Sequence, residues 1–171
     1  MSARPLITTI VTCYNKAPQI EQCIRSVLSQ SIADSEVLVI DDASTDGSVE
    51  IVRRLEAENT GRLRTIFHRE NKGLPVTWRE AVGAARGSYI ARLDGDDWWL
   101  SDDKLEKQIA ALESSEGESK WCNTDFSIFD KDDALVSEAC FENGTIPLPR
   151  SFEEILSARG FTNPSTWLAD A

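Results

Sequence analysis

Histidine is nearly absent from this chain, and paired cysteine is wholly absent. His68 is the single histidine, and Cys13, Cys23, Cys122 and Cys140 form no C-x-x-C pair. A zinc cluster is therefore excluded, and the four thiols read as reduced, mostly buried, small apolar residues. Long apolar runs are missing too. Met1-Ser-Ala-Arg-Pro-Leu6 has no signal-peptide character, and no segment approaches the roughly 20 apolar residues of a transmembrane helix. The expectation is a cytoplasmic protein, one that reaches a membrane surface only through C-terminal sequence outside these residues. Positive charge is scarce: 18 Lys and Arg stand against 29 Asp and Glu, for a net charge of −11. Such a surface repels a phosphate backbone, which excludes broad nucleic-acid binding. A nucleotide diphosphate is still compatible, provided that a divalent cation lies between it and the protein. Internal repeats and low-complexity stretches are absent as well.

What is present is a regular alternation. Leu6–Thr12 is rich in β-branched residues and predicts a strand. Pro18 suits a first helical turn, and Ile20, Cys23, Ile24, Val27 and Leu28 follow at helical spacing. Glu36–Asp41 is a continuous apolar run, as in a strand covered on both faces. Asp46-Gly47-Ser48 predicts a helix start, and Val49, Val52 and Leu55 share one face beyond it. A short strand over Leu63–Phe67 and a helix over Leu74–Arg86 come next, with Gly87 read as the helix stop. Ser88–Asp94 is a fourth strand, and Leu105, Ile109 and Leu112 mark a further helix. Glu113–Ser119 reads as a loop. Beyond Lys120 the pattern predicts strands over Trp121–Phe129 and Ala134–Phe141, a short helix over Phe152–Leu156, and an approach to another strand over Phe161–Trp167. Asn143-Gly144-Thr145 fits a glycosylation sequon but reads better as a turn. The length suits one domain, and the alternation implies an open, mostly parallel sheet with helices on both faces.

In such sheets ligands bind at the carboxyl ends of the strands. Three polar clusters fall there: Thr12-Cys13-Tyr14-Asn15, Asp41–Asp46 and Asp94-Gly95-Asp96-Asp97. The last is the sharpest, because carboxylates one residue apart can share Mg²⁺ or Mn²⁺ while phosphates supply the other ligands. Its blander reading is a solvated acidic turn. An EF-hand is a poor fit, since Trp98 and Trp99 fall where a ligand and the loop glycine belong. In Asp41–Asp46 an aspartate at the strand end could accept a hydrogen bond from a base ring N–H, or the cluster could serve as a helix cap, as Asp46 reads. Tyr14 could stack on a base or be a half-buried core tyrosine. Asn71-Lys72-Gly73 precedes a helix, whose first amides could hold phosphate. Arg79 and Arg92 are further cationic candidates. Trp98 and Trp99 could wall a sugar pocket or simply pack.

Taken in order, these pieces resemble the inverting glycosyltransferases of family 2, which share the GT-A fold. Leu6–Asn15 resembles the opening strand and "TxYN" loop, and Ser26–Gln30 resembles "SVLxQ". Val39–Gly47 resembles "VIDDxSxDG", Asn71–Gly73 and Gly87–Ile90 match too, and Leu93–Asp97 matches "LDxDD". The likeness runs from residue 6 to about 112. It implies one GT-A domain over 1–171, with 6–112 as the nucleotide-sugar-binding half and 113–171 as the start of an incomplete acceptor half. It implies a nucleotide-diphospho-sugar donor, by default a UDP-sugar. Thr12, Tyr14 and Asp42 would hold the base, and Asn15, Asn71, Gly73 and Arg79 would complete the donor site. Asp94 and Asp96 would contact the nucleoside end, and Asp97, with Asp96 beside it, would hold Mn²⁺ or Mg²⁺. Two departures stand out. Trp78-Arg79 occupies the place where the family often has Arg-Asn, and the family's catalytic base is expected beyond Ala171. The chain therefore reads as a fragment that could bind a nucleotide sugar without transferring it. A receiver domain built on Asp41-Asp42 and a phosphotransferase built on the Asp94/Asp96 pair are the competing readings.

Overall fold

The computed structural model describes residues 5–114, 121–130, 132, 134–140, 142–144 and 164–171. The first strand, β1 (Ile7–Cys13), and the second, β2 (Ser35–Asp41), are buried along their whole length. They are joined by helix α1 (Ile20–Leu28), which buries Ile20, Cys23, Ile24 and Val27. Pro18 lies in the tight turn before α1, where the amides of Gln19 and Ile20 both donate to the Lys16 carbonyl. Helix α2 (Ser48–Glu58) turns the chain into β3 (Leu63–Phe67). Helix α3 (Leu74–Ala84) leads to β4 (Tyr89–Asp94), and α4 (Lys104–Ser114) buries Leu105 and Ile109. β1 to β4 pair in parallel in the order β3-β2-β1-β4.

Side chains alternate across a strand, so each strand feeds two cores. Val11, Val37, Val39, Ala91 and Leu93 pack with α1, α2 and α4 on one face. Ile10, Leu38, Ile40 and Ile90 pack with Ala81 and Trp78 of α3 on the other. The continuous apolar run of β2 is thus buried from both sides, as expected of a parallel sheet. The α3 face is also the one that carries Thr12, Arg92 and Asp94.

The later elements depart from the sequence reading. Trp121–Phe129 is not one strand: it divides into β5 (Trp121–Asn123) and β6 (Ile128–Phe129). Among the described residues β6 pairs only with β7 (Leu135–Ser137), in a separate hairpin. Strand β8 (Trp167–Asp170), entered by a 3-10 turn at Pro164–Thr166, inserts antiparallel between β4 and β5. Residues 164–170 therefore complete the sheet that residues 7–94 begin. α4 runs to Ser114, into the segment read as a loop. Gly144 has φ 76°, as a turn requires. The helix expected over Phe152–Leu156 lies outside the described residues. Gly87 does not cap α3 as a left-handed residue. A Cβ there would lie 2.3 Å from the Thr8 nitrogen and 2.6 Å from the Ile7 carbonyl carbon, so glycine is needed for the close passage of the chain over β1. All four cysteines are free thiols, and three of them are buried. Among the described residues no helix is long and apolar enough to cross a membrane.

Candidate functional site

Parallel pairing brings the ends of β1, β2 and β4 into register: Thr12 lies opposite Asp94, and Cys13 opposite Asp41. Three polar loops consequently leave one edge of the sheet side by side. From β1, the Thr12 hydroxyl donates to Asp94 Oδ1 at 3.1 Å. Tyr14 is 47% exposed, which is more than a core tyrosine would be. Asn15 adopts φ 54°, its side-chain oxygen accepts the Thr45 amide at 2.8 Å, and its own amide donates to Ser44 Oγ at 2.8 Å. Its side chain clamps the β1 loop to the β2 loop. Asp46 receives both the amide and the hydroxyl of Ser48, at the start of α2, and also the Ala17 amide at 2.9 Å.

Asp42, just past β2, is buried. Its Oδ1 accepts the Lys72 amide at 2.8 Å and lies 2.7 Å from His68 Nδ1, and its Oδ2 accepts the Gly73 amide at 2.8 Å. Burial pushes this carboxyl up, but the His68 contact and the two amides outweigh it and hold it below the usual range. Asp42 thereby pins Asn71-Lys72-Gly73 to the sheet, and Gly73 enters α3 with φ 80°. His68 is held on its other side by Glu80, 2.9 Å from Nε2.

The β4 loop carries the three carboxylates. Asp94 accepts Arg92 at 3.0 Å from Nη2 and 3.2 Å from Nε. Asp96 pairs with Lys16 Nζ at 2.5 Å. Asp97 Oδ2 accepts the Ser165 hydroxyl, and the same Ser165 oxygen accepts the Asp94 amide at 3.0 Å. Burial raises the Asp97 carboxyl above its ordinary value; the charges of Asp96 and Asp94 add to this, and Ser165 opposes it.

A cleft of about 460 Å³ lies along this edge. It brings together Thr12, Tyr14, Asp42, Asn71, Gly73, Asp94 and Asp96, and adds Lys16 and Thr77. A second cleft of about 490 Å³ adjoins it at Asp96 and contains Asp97, Trp98, Trp99, Lys104 and Ser165. Neither Asn15 nor Arg79 lines either cleft, and Arg79 is exposed on α3. Trp99 is buried with its indole N–H on the Ser165 carbonyl at 3.0 Å, while Trp98 stands 5.2 Å from the Phe129 ring. Ser165 had no signal in the sequence: it joins the site from 68 positions beyond Asp97. His68, read only as evidence against zinc, braces Asp42.

A metal has a limited donor set here. Among the described residues no group of three or more His, Cys, Asp or Glu side chains is placed to hold one. Two adjacent carboxylates, Asp96 and Asp97, are hard oxygen donors. They fit Mg²⁺ or Mn²⁺ that takes its remaining ligands from a diphosphate and water. The like charges of Asp94 and Asp96 around half-buried Asp97 are what such an ion would offset.

The fold recurs in known proteins. A mannosyltransferase, PcManGT from Pyrobaculum calidifontis, solved with GDP-Man and Mn²⁺, superposes with a TM-score of 0.64 at 27% identity, over 77% of this chain and 38% of that one. S. aureus TarS 1–349, solved with UDP-GlcNAc, gives a TM-score of 0.57 at 28% identity, over 67% and 32%. The expected GT-A fold therefore holds. In sequence, the chain is 40% identical over 106 residues to TuaG of Bacillus subtilis (strain 168), a glycosyltransferase named for teichuronic acid biosynthesis. That match covers 62% of this chain and 41% of TuaG, so the chain spans about two fifths of that relative's length. The family model described as Glycosyl transferase family 2 matches residues 8–142, and the chain belongs to that family.

Proposed function

We propose that this chain is the donor-binding part of a glycosyltransferase that moves a sugar from a nucleotide-diphospho-sugar to an acceptor hydroxyl with inversion at the anomeric carbon. The observation that carries this reading is the convergence of three strand ends, with Asp42, Asp94 and Asp96, on one cleft that borders Asp97. Tyr14 offers an exposed ring on which a base can stack. Among the described residues Asp42 Oδ2 receives a single amide, which leaves it a lone pair for the ring N–H that uracil and guanine both present. Thr12 and Arg92 fix Asp94 beside the nucleoside, and Lys16 holds Asp96. Asp97, with Asp96 beside it, would hold Mn²⁺ or Mg²⁺, which supplies Lewis-acid stabilisation of the departing diphosphate. As the acceptor oxygen bonds to the anomeric carbon, the bond to the diphosphate oxygen breaks, and the hydroxyl proton passes to a base that no residue here is assigned to supply. The bound donors of PcManGT and TarS, GDP-Man and UDP-GlcNAc, support this donor class. Family membership displaces the receiver and phosphotransferase readings.

Calorimetric titration of UDP and of GDP, each with Mn²⁺ and again with EDTA, tests the proposal. Binding that requires the metal and is lost in Asp97→Asn is the expected result. Failure of both nucleotides to bind under either condition would sink it.

A further inference from the structure

The donor cleft has a cation behind it that the reading above uses only in passing. Arg92 shares a face of β4 with Ile90 and Asp94, the face covered by α3. Its side chain is only 15% exposed, so the guanidinium has lost most of its water and requires partners. Two kinds surround it. Asp94 takes Nε and Nη2 on Oδ1 at 3.2 and 3.0 Å, and Nη2 reaches Oδ2 at 3.4 Å. The Trp78 ring lies 5.1 Å from the guanidinium carbon. Trp78 is itself braced edge-on by Trp167 at 5.7 Å and 75°, and Trp167 belongs to β8, which pairs with β4.

The consequence falls on Asp94. Its Oδ1 accepts both the Thr12 hydroxyl from β1 and the Arg92 fork. Among the described residues its Oδ2 has only the long 3.4 Å contact, and Asp94 lines the cleft whereas Arg92 does not. One carboxylate oxygen is thus tied to the sheet from two strands, and the other is left for a ligand. Arg79, the neighbouring cation on α3, is exposed and away from the cleft.

We infer that Arg92, held over the Trp78 ring, is the positioning residue of the donor site: it fixes Asp94 so that its second oxygen meets the nucleotide. This rests on the donor-site reading. Lysine cannot replace it, because an ammonium lacks the fixed pair of N–H groups that Nε and Nη2 present to Asp94 Oδ1.

The test is a double-mutant cycle read as the dissociation constant for UDP with Mn²⁺, beside melting curves of every variant. Arg92→Lys, which keeps the charge and the fold, is expected to weaken binding by about 10-fold or more. Arg92→Ala and Asp94→Asn should each do the same, and the double variant should bind no worse than Asp94→Asn alone. Trp78→Leu should weaken binding by a smaller factor, ~3-fold. A purely structural role would lower melting temperature without this dependence on Asp94. Arg92→Lys within about 2-fold of wild type, or losses that multiply in the double variant, would overturn the inference and leave the donor site standing. A wild-type protein that binds neither UDP nor GDP would overturn both.

Discussion

Glu36 does not line the proposed donor cleft, yet its environment is as specific as that of Asp94. Its Oε1 accepts the Thr8 hydroxyl at 2.7 Å, Arg64 Nη2 at 3.1 Å and the Arg86 amide at 3.2 Å, and its Oε2 accepts Arg64 Nε at 2.8 Å. Burial pushes this carboxyl up, but Arg64 and Thr8 outweigh burial and hold it below its ordinary value. A carboxylate with a depressed folded-state pKa stabilises the fold above its unfolded value, about 4.3, and loses that contribution as the pH falls through the folded value. Glu36→Gln should therefore cost about 3 kcal/mol near neutral pH, and the gap to wild type should narrow below about pH 4. Melting curves across that range check it. Asp97 has the opposite sign: partial burial raises its carboxyl, and the like charges of Asp96 and Asp94 add to this. Asp97→Asn should raise the stability of the ligand-free protein by ~1 kcal/mol in chemical denaturation, and on the proposed function it should also abolish metal-dependent nucleotide binding. That pairing separates loss of function from loss of fold.

At the scale of elements, two glycines set how α3 meets the sheet. Gly73 enters the helix at φ 80°, with its amide on Asp42, and Gly87 leaves the following turn pressed against β1. Gly87→Ala forces a Cβ onto backbone atoms of Ile7 and Thr8 that no side-chain rotation can move. It should destabilise the protein by about 3 kcal/mol in denaturant titration, through displacement of β1 against β4. The glycine itself was visible in the sequence, but its reason was not. A helix stop is a local property, whereas a close backbone approach depends on a strand 80 positions earlier in the chain, and no local pattern records it. The helices and the first four strands were legible for the converse reason: each buries its own periodic stripe, as with Ile20, Cys23, Ile24 and Val27 of α1.

Across the whole molecule, β8 is the strand that joins β5 to the parallel part of the sheet. Leu168 is fully buried between β4 and β5, and two residues before Trp167 Ser165 reaches Asp97 and Asp94. Leu168→Ala should cost 2–5 kcal/mol, about as much as a central core leucine. Ser165→Ala should leave the fold in place and weaken metal-dependent UDP binding, because Asp97 loses the hydroxyl that aims it. Thermal melts and the same titration distinguish the two variants.

The sequence by itself determined the parallel α/β order, the two-sided burial of β2 and the gathering of Thr12, Asp42, Asp94 and Asp96 at one edge. These follow from short-range periodicity and from the rule that polar residues end the strands of such a sheet. Only the tertiary structure decided that Asn15 clamps loops instead of lining the cleft, that Arg79 faces solvent and Arg92 faces Asp94, and that Ser165 belongs beside Asp97. Each of these depends on which distant segment packs against which, and β8 shows why. A four-residue strand is inserted by pairing with β4 and β5, and its partners lie some 45 to 80 positions away. Pairing of that range is set by the energetics of the whole sheet and not by any local signal.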